Sequence, residues 1–480
     1  MIRASFSPRL VILEVLSSEE NHGLRNRSFR IRTARRIVGD RKLLLVVVAF
    51  LLVGMVVAYR RLICWPRDDT LIEFHIHSRG HGHWAGAIVT IEALAKLGYK
   101  FRLFAGRDPP VQPAPYDPQV IDTILRGEQP PVVEPIQREL LRYTHIAQAT
   151  MQEPFFERLY LGLKASVRSP FRSRPLLIIT DGDVAGLVQG WWNGIPTLAL
   201  VHGNIFVQPP PSWVTSNLSY KKAWKVENRK NSFNNLWADY KIGFNHVPLP
   251  NMVHIGAREA VQEIARLRAN QIAAFDMSNS KSPTKHRRVV SSYFRDKNGG
   301  KLVNALLEEG IDVIVFGELE VAPSTMEAEG RLIRIDDAAY FVPIMTIADG
   351  IIGSAGCNLA AECYYAQIPM LMLHSDWDTE HRLNAAMARQ TNTYKDGSRA
   401  MFSCPFAELT SGAGELHQEV RLFIERVQAS KASEAFYERL NYDAMEPSSV
   451  EYENELLEGS SDQMTEVLRV IKEVKTQALC

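Results

Sequence analysis

The segment formed by residues 349–385 constrains the fold more than any other part of the chain. It contains an apolar strand, a turn of small residues, a helix, a second strand, and a charged loop that opens another helix. A helix N-terminus carries unpaired N–H groups and the positive end of the helix dipole, so it favours an anion. The turn at 353–356 is therefore predicted to present bare backbone N–H groups to a phosphate or diphosphate.

A carboxylate lies one helical turn beyond this predicted anion site. Glu362 follows Asn358 by four residues, so both side chains fall on the same helix face. From there Glu362 can accept hydrogen bonds from the vicinal hydroxyls of a sugar. A phosphate at the turn and a ribose at Glu362 together indicate a nucleotide.

This order of motifs resembles the C-terminal half of nucleotide-sugar glycosyltransferases of the GT-B fold, such as plant and animal UDP-glycosyltransferases and the bacterial lipid II N-acetylglucosaminyltransferase. In that family a Gly-x-Asn turn precedes a ribose-binding Glu, a small-x-Pro helix end, and an Asp/Glu-Gln-x-x-Asn-Ala loop that touches the donor sugar. The matching positions here are Gly356, Asn358, Glu362, Ile368, Pro369, Glu380, His381, Asn384 and Ala385. The resemblance implies a donor site made of Gly353, Ser354, Ala355, Gly356, Cys357, Asn358, Glu362, Asp378, Glu380 and His381.

Three positions depart from the family pattern. Ser354 stands where many members carry a phosphate-binding His, and His381 replaces Gln in the donor-sugar loop. Gln367 replaces the usual Gly before x-Pro, so it places a side chain where a positive φ is expected. These departures leave the backbone turn as the main phosphate ligand and alter the expected contacts with the donor sugar.

Length and composition limit the classes of protein. At 480 residues, 46% hydrophobic and 23% charged, the chain can bury two domain cores. Its net charge of +1 gives no support for a nucleic-acid partner. The five cysteines form no C-x-x-C pair and have no zinc-type spacing, so neither a metal site nor a disulfide framework is expected.

The apolar segment 43–59 contains no charged residue and would span about 26 Å as a helix. The run at 30–42 before it has six basic residues and the flank at 60–67 after it has three, so the positive-inside rule predicts a cytosolic N-terminus and a translocated body. A cleaved signal peptide and an organellar transit peptide are the alternatives. On the translocated side, Asn217-Leu218-Ser219 forms a glycosylation sequon. In a eukaryote this predicts a single-pass ER or Golgi protein with a lumenal catalytic domain.

Strand and helix patterns divide the rest of the chain. A strand over 71–77, a loop, a helix over 84–97 and a strand over 99–105 predict a βαβ unit and a parallel sheet. Strands over 175–180 and 195–201 flank a helix over 184–192, and a second βαβ series starts at 288. The expected fold is α/β, with two Rossmann-like domains of GT-B type facing across a cleft, preceded by one transmembrane helix. The expected domains are a basic cytosolic segment at 1–42, the anchor at 43–59, a stem at 60–70, an acceptor domain at 71–276, a linker at 277–287, a donor domain at 288–412, and helices at 413–480 that pack back on the acceptor domain.

The loop after the first strand contains the candidate catalytic residue. Its sequence Arg-Gly-His-Gly-His-Trp, at 79–84, resembles the first-domain loop of GT-B glycosyltransferases. By that resemblance, His83 falls on the His that serves as general base in many inverting members. A group near neutral pKa can remove the proton of an acceptor hydroxyl. The alternatives are a His that caps the turn, or a His81/His83 pair that only binds the acceptor.

Further candidates lie near the acceptor or the diphosphate. They are Arg79, Gly82, Asp181, His202, Gly299 and Gly300. The Asp-x-Asp patterns at 181–183 and 376–378 are typical of metal sites in the other major glycosyltransferase fold. Here a helix N-terminus already offsets the charge of the leaving group, so neither a metal nor a cofactor is expected. A sugar-hydroxyl contact is the expected role for Asp378 or Glu380.

A basic cluster with nearby tryptophans occupies residues 213–237. Its basic members are Lys221, Lys222, Lys225, Arg229 and Lys230. The cluster could rest on an anionic membrane or guide a lipid-linked acceptor. It could equally be a solvated helix face with tryptophans in the core.

The expected activity is transfer of a hexosyl group from a UDP-sugar to an acceptor hydroxyl, with inversion. The acceptor can be a lipid, a glycan or a small molecule. One alternative is a nucleotide-sugar epimerase on the same fold. Another is a catalytically silent partner or scaffold subunit, which the three departures from the family pattern keep open.

Overall fold

The computed structural model describes residues 54–55, 67–77, 80–105, 113–132, 143–144, 174–245, 253–254, 257–277, 288–293, 299–317, 330–390, 397–409, 415–441 and 461–477. The chain divides into two compact units, Met1–Ile63 and Cys64–Cys480. Only Gly54 and Met55 are described in the first unit. All further description concerns the second unit.

The described part of the second unit consists of strands and helices that mostly alternate along the chain. The elements of its first half are β1 (Arg67–Ile76), α1 (Gly80–Lys96), β2 (Lys100–Ala105), α2 (Pro118–Leu125), β3 (Tyr143–Thr144), β4 (Arg174–Asp181), α3 (Val184–Asn193), β5 (Thr197–Leu200), α4 (Ser212–Thr215), α5 (Leu218–Asn234), β6 (Tyr240–Ile242), β7 (Phe244–Asn245), β8 (Val253–His254) and α6 (Glu259–Met277). Those of its second half are β9 (Arg288–Tyr293), α7 (Gly300–Glu308), β10 (Ile311–Phe316), β11 (Leu332–Ile335), α8 (Phe341–Ile344), β12 (Gly350–Ser354), α9 (Cys357–Tyr365), β13 (Met370–His374), α10 (Thr379–Gln390), β14 (Met401–Pro405), α11 (Gln418–Gln428), α12 (Ala432–Asn441), β15 (Ser461–Asp462) and α13 (Gln463–Gln477).

Two parallel six-stranded sheets have the same strand order. The first is β3-β2-β1-β4-β5-β6 and the second is β11-β10-β9-β12-β13-β14. In each sheet the second and third strands add on one side of the first strand, and the next three add on its other side. This order is the doubly wound Rossmann arrangement. The predicted α/β class with two Rossmann-like parts is confirmed. Ligands of such sheets bind where the strand order reverses, here beyond β1 and β4 and beyond β9 and β12.

Central strands are buried on both faces because helices cover both sides of each sheet. In β1 the six residues Leu71–Ile76 are all buried, and Leu176, Leu177, Ile178 and Ile179 of β4 are fully buried. In β1 the buried residues include the charged side chains Glu73 and His75.

The helix boundaries differ from the sequence expectation at one important place. The helix expected over 84–97 begins at Gly80, so Gly82 and His83 lie in its first turn rather than in a loop. An Asx or Ser cap signal is absent from this stretch, and two glycines made a loop the simpler expectation.

Two of the expected domain assignments are wrong. α6, placed in the acceptor domain, packs through Ala257, Val261 and Ile264 against residues of α9 and β13 in the second half. Of the helices expected at 413–480, α11 packs on the second sheet through Val420 and Phe423, and Phe436 of α12 also packs in the second half. Of the helices described in this segment, α13 alone lies against the first sheet, through residues such as Val467 and Val470.

Among the described residues, none of the helices combines the length and the apolar character that crossing a bilayer requires. The expected anchor at 43–59 lies outside the described residues, apart from Gly54 and Met55. It stays a prediction.

Candidate functional site

Two helix N-termini meet where the halves of the molecule face each other. α1 follows the central strand of the first sheet, and α9 follows β12 of the second. The Asn358 amide of α9 donates a hydrogen bond to the Gly82 carbonyl of α1. A Cβ added at Gly82 would lie 3.2 Å from the Asn358 amide nitrogen, so glycine permits this close approach. Both positive helix ends therefore face one shared region.

A His–Asp pair lies at this region. His83 Nδ1 is 3.1 Å from Asp181 Oδ1, and their side chains are 29% and 7% exposed. Asp181 ends β4 and is in register with Ile76 of neighbouring β1, so the two strand ends bring the carboxylate to the helix that follows β1. Gly182 has a φ of +70°, which an L side chain rarely adopts. The arrangement orients the His83 ring and fixes its Nδ1 proton.

A buried charged cluster lies next to the ends of β1 and β4. His75 is fully buried between two carboxylates, with Nε2 3.8 Å from Glu73 and Nδ1 3.7 Å from Asp183. Burial lowers the pKa of His75, but these carboxylates outweigh that effect and raise the pKa above its ordinary value. Asp183 also caps α3 by accepting a hydrogen bond from the Ala185 N–H. The ring fits because position 186 is glycine, where a Cβ would lie 2.6 Å from Cγ of His75.

The anion site differs in detail from the sequence expectation. Bare N–H groups were expected over 353–356, but the Ala355 N–H donates to Leu373 O and the Gly356 N–H donates to Ser354 O. The expectation is wrong for these two groups because pairing with β13 continues past the end of β12 and the chain then turns tightly. The donors that remain are in the first turn of α9, where the N–H groups of residues 357–359 have no intrahelical acceptor. The N-cap Gly356 offers no side-chain cap.

Glu362 lies one turn along α9, and an arginine pairs with it. The Arg258 Nε and Nη2 donate to Glu362 Oε1 and Oε2 at 2.5 and 3.0 Å. The two side chains are 14% and 8% exposed. Arg258 immediately precedes α6, 104 residues earlier in the chain. Sequence reasoning missed this partner, since no local spacing connects two residues so far apart.

The donor-sugar loop begins α10. Asp378 Oδ1 accepts a hydrogen bond from the His381 N–H at 3.1 Å, so the side chain expected to contact a sugar also caps a helix. Glu380 is 3.6 Å from Lys230 of α5. Burial raises the pKa of Glu380, but neighbouring cationic and imidazole groups outweigh burial and lower it. Those groups are His202, Lys230, His381 and His83.

A hydrogen-bond chain connects the two halves behind this loop. His202 Nε2 lies 2.7 Å from Asn384 Oδ1, and the Asn384 amide donates to Ala355 O at 3.0 Å. His202 Nδ1 lies 2.7 Å from Phe244 O. The expected site residue His202 is therefore joined to the turn that precedes α9.

An apolar interface cluster holds α5 against α10. It consists of Ile205, Phe206, Val214, Ala223, Trp224, Leu383 and Met387. The basic residues of α5 are all exposed: Lys221, Lys222, Lys225, Arg229 and Lys230. Lys230 also contacts Glu227 and Glu380. Trp224 is buried, as the interpretation of a solvated face with a core tryptophan requires.

Further residues expected at the site are Arg79, Gly299, Gly300 and Cys357. Arg79 lies outside the described residues. Gly299 is the N-cap of α7, and Gly300 is its first residue, so they mark a second uncapped helix start after β9. Cys357 is buried, and burial raises the pKa of its thiol well above the usual range. In the part of the chain that the structure describes, no group of three His, Cys, Asp or Glu residues has the geometry of a metal site; the absence of a metal requirement stays a prediction.

The expectation for Gln367 is confirmed. Its φ is +53°, and within the described residues it is the only non-glycine residue with a positive φ. The Ile368 N–H donates to Cys363 O and the Gln367 N–H donates to Tyr364 O. These two bonds form a Schellman motif in which glycine is the preferred residue at position 367.

No protein-family model matches the chain, and no curated protein is similar to it in sequence. Solved glycosyltransferase structures are similar in fold. A UGT transferase from Siraitia grosvenorii in complex with UDP has 11% identity and a TM-score of 0.44, over 84% of this chain and 99% of that chain. MurG from Acinetobacter baumannii has 12% identity and a TM-score of 0.44, over 85% of this chain and 99% of that chain. A UDP-glucosyltransferase from Polygonum tinctorium has 11% identity and a TM-score of 0.41, over 80% of this chain and 100% of that chain.

Proposed function

We propose that the protein transfers a hexosyl group from a nucleotide diphosphate sugar to an acceptor hydroxyl, with inversion of the anomeric centre. UDP is the proposed nucleotide. One observation carries the proposal: a His–Asp pair and the uncapped start of α9 face the same region, bridged by the contact between Asn358 and Gly82. Removal of a proton and stabilisation of a departing anion are the two tasks that this transfer needs.

His83 is the proposed general base. A neutral imidazole that donates its Nδ1 proton to Asp181 carries its lone pair on Nε2. That lone pair takes the acceptor hydroxyl proton while the oxygen attacks the anomeric carbon. The new C–O bond forms on the face opposite the diphosphate, so one displacement inverts the centre. Asp181 then stabilises the imidazolium that results.

The start of α9 is the proposed site for the leaving diphosphate. As the bond from the anomeric carbon to the phosphate oxygen breaks, negative charge grows on that oxygen. Backbone N–H groups at a helix start favour such charge, and a site that excludes water strengthens the effect. Glu362 is the proposed ligand of the ribose hydroxyls, and Glu380 and His381 are the proposed ligands of the donor sugar.

The proposal includes membrane anchoring. Residues 43–59 would form a single-pass signal-anchor that leaves the catalytic unit on the translocated side, in the ER or Golgi lumen of a eukaryote. The exposed basic residues of α5 are compatible with an acceptor that carries negative charge. A lipid, a glycan and a small molecule all remain acceptor classes for the test below.

A donor and acceptor screen of the full-length protein tests this function. Transfer from a UDP-sugar by the wild type, together with loss of transfer but retention of donor binding in His83→Ala, is the expected result. Isomerised donor in the absence of any acceptor would instead identify an epimerase. Nucleotide binding with no product in any reaction, together with co-purification of an active transferase, would identify a silent partner subunit.

A further inference from the structure

The Arg258–Glu362 ion pair lies close to the start of α9, where the leaving diphosphate is proposed to bind. Glu362 lies five residues beyond the first residue of α9, about 7.5 Å along the helix axis. A lone carboxylate at that distance would repel the diphosphate that the helix start is proposed to hold. Because the Glu362 side chain is 8% exposed, water would screen little of this repulsion.

Arg258 cancels that charge without using all of the acceptor capacity of the carboxylate. Its Nε and Nη2 donate to the two different oxygens of Glu362. An ionised carboxylate has about four lone-pair positions, so two remain after a bidentate arginine has bound. Two is the number of hydrogen bonds that the vicinal hydroxyls of a ribose can donate.

The arginine is itself held in place from outside α9. Its neighbour Ala257 and the α6 residues Val261, Ile264 and Ala265 are buried against the second half of the molecule. The guanidinium is 14% exposed, and its planar fork fixes the orientation of the carboxylate in a way that a lysine would not. The plane of the Glu362 carboxylate is thus set by a residue that precedes a different helix.

We infer that Arg258 is a positioning and specificity-determining residue for the pentose: it neutralises Glu362 and aims the two remaining lone-pair positions of the carboxylate at the ribose hydroxyls. This inference rests on the proposed function, since it assumes that a nucleotide binds at α9. It adds the selectivity of that site for ribose over a sugar without vicinal hydroxyls.

The test is calorimetric binding of UDP and of 2′,3′-dideoxy-UDP to the full-length protein. Hydrogen bonds to a charged group make the expected wild-type preference for UDP about tenfold or more. In Arg258→Met the preference is expected to fall to about one, because the Glu362 carboxylate loses the partner that fixes its orientation. Arg258→Lys keeps the charge but loses the fork, so an intermediate preference is expected; it also provides a result if Arg258→Met does not fold.

A matched control separates this role from general stability. Arg399, two residues before β14, makes a similar bidentate pair with Glu419 of α11, at 3.2 and 2.6 Å. Neither residue contacts Glu362 through a hydrogen bond or ion pair that the structure shows. Arg399→Met is expected to lower the melting temperature without changing the preference for UDP.

Three outcomes would overturn the inference and leave the proposed function in place. The first is an unchanged UDP preference in both Arg258 variants. The second is tighter UDP binding by Arg258→Met, which would make the arginine an obstacle in the pocket. The third is equal wild-type affinity for the two nucleotides, which removes the pentose contact but leaves nucleotide binding intact. A wild type that binds neither UDP nor any other nucleoside diphosphate would overturn the proposed function, and this inference with it.

Discussion

At the residue scale, the chemistry depends on contacts between side chains that the fold brings together from distant positions. His83 could be picked out from the sequence because its motif resembles a known loop. Its partner Asp181 could be placed at a strand end, but not beside His83, because the neighbouring positions of β1 and β4 follow from strand order. Sequence spacing predicts where strands and helices occur, but it does not predict which strands are neighbours in the sheet.

Asp181→Asn tests the orientation of the proposed base. The amide keeps the shape of the side chain but removes the charge that stabilises an imidazolium. We expect kcat to fall about 100-fold to 10,000-fold with little change in donor affinity. Steady-state kinetics and calorimetric donor binding measure the two effects. Asp117→Asn, at the exposed N-cap of α2, is the control and should retain full kcat; equal losses in both variants would contradict a specific role for Asp181.

Because Arg258 and Glu362 form a largely buried pair, we expect substitutions at Glu362 to change the stability of the protein as well as nucleotide binding. Glu362→Ala leaves a guanidinium that is 14% exposed without its partner, so we expect a loss of about 3–5 kcal/mol in the free energy of unfolding. The double variant Arg258→Met/Glu362→Met should recover most of that loss, because it leaves no buried charge unpaired. Denaturant titration of both variants measures this. Additive losses in the double variant would mean that the two side chains do not act as a pair.

At the element scale, the two helices that start at the cleft show what local patterns can and cannot give. The strands around residues 175–180 and 311–316 could be predicted closely because they are continuous apolar runs. The start of α1 could not, since Gly80 and Gly82 are typical of loops. Bare N–H groups could be expected near Gly356, but only the register between β12 and β13 shows that Ala355 is already paired.

The C-terminal end of α9 provides a stability prediction. Gln367 has a φ of +53° in a Schellman motif, and a left-handed conformation costs an L residue about 1 kcal/mol. Gln367→Gly should therefore raise the free energy of unfolding by about 0.5–1 kcal/mol, measured by denaturant titration. Glu425→Gly is the control, because it places a glycine at an exposed position inside α11. It should lower the free energy of unfolding by about 1 kcal/mol. A loss of stability in Gln367→Gly would show that the side chain contributes more than its backbone strain costs.

At the scale of the whole molecule, two sheets of the same strand order place their switch points on a shared region. The α/β class and the two-part organisation followed from alternating strand and helix patterns. The positions of α6, α11 and α12 did not, because an amphipathic helix shows which face is apolar but not which sheet that face covers. The same limit concealed Arg258, whose partner is fixed by the packing of α6.

Glycosylation at Asn217 tests the proposed orientation of the whole chain. Asn217 Oδ1 caps α5 by accepting from the N–H groups of Ser219 and Tyr220, and a glycan attached to Nδ2 leaves that oxygen in place. In a eukaryotic host we expect an endoglycosidase-sensitive mass shift for the full-length protein. Ser219→Ala removes the sequon but keeps the cap, so it should show no shift. An unmodified wild type in that host would count against a translocated catalytic unit.

The most direct test of the central claim is a crystal or cryo-EM structure of the protein with UDP bound. We expect diphosphate oxygens within hydrogen-bond distance of the N–H groups of residues 357–359, and ribose hydroxyls hydrogen-bonded to Glu362. His83 would face the position of the transferred sugar. UDP bound at another surface, with no diphosphate at the start of α9, would contradict the proposed donor site.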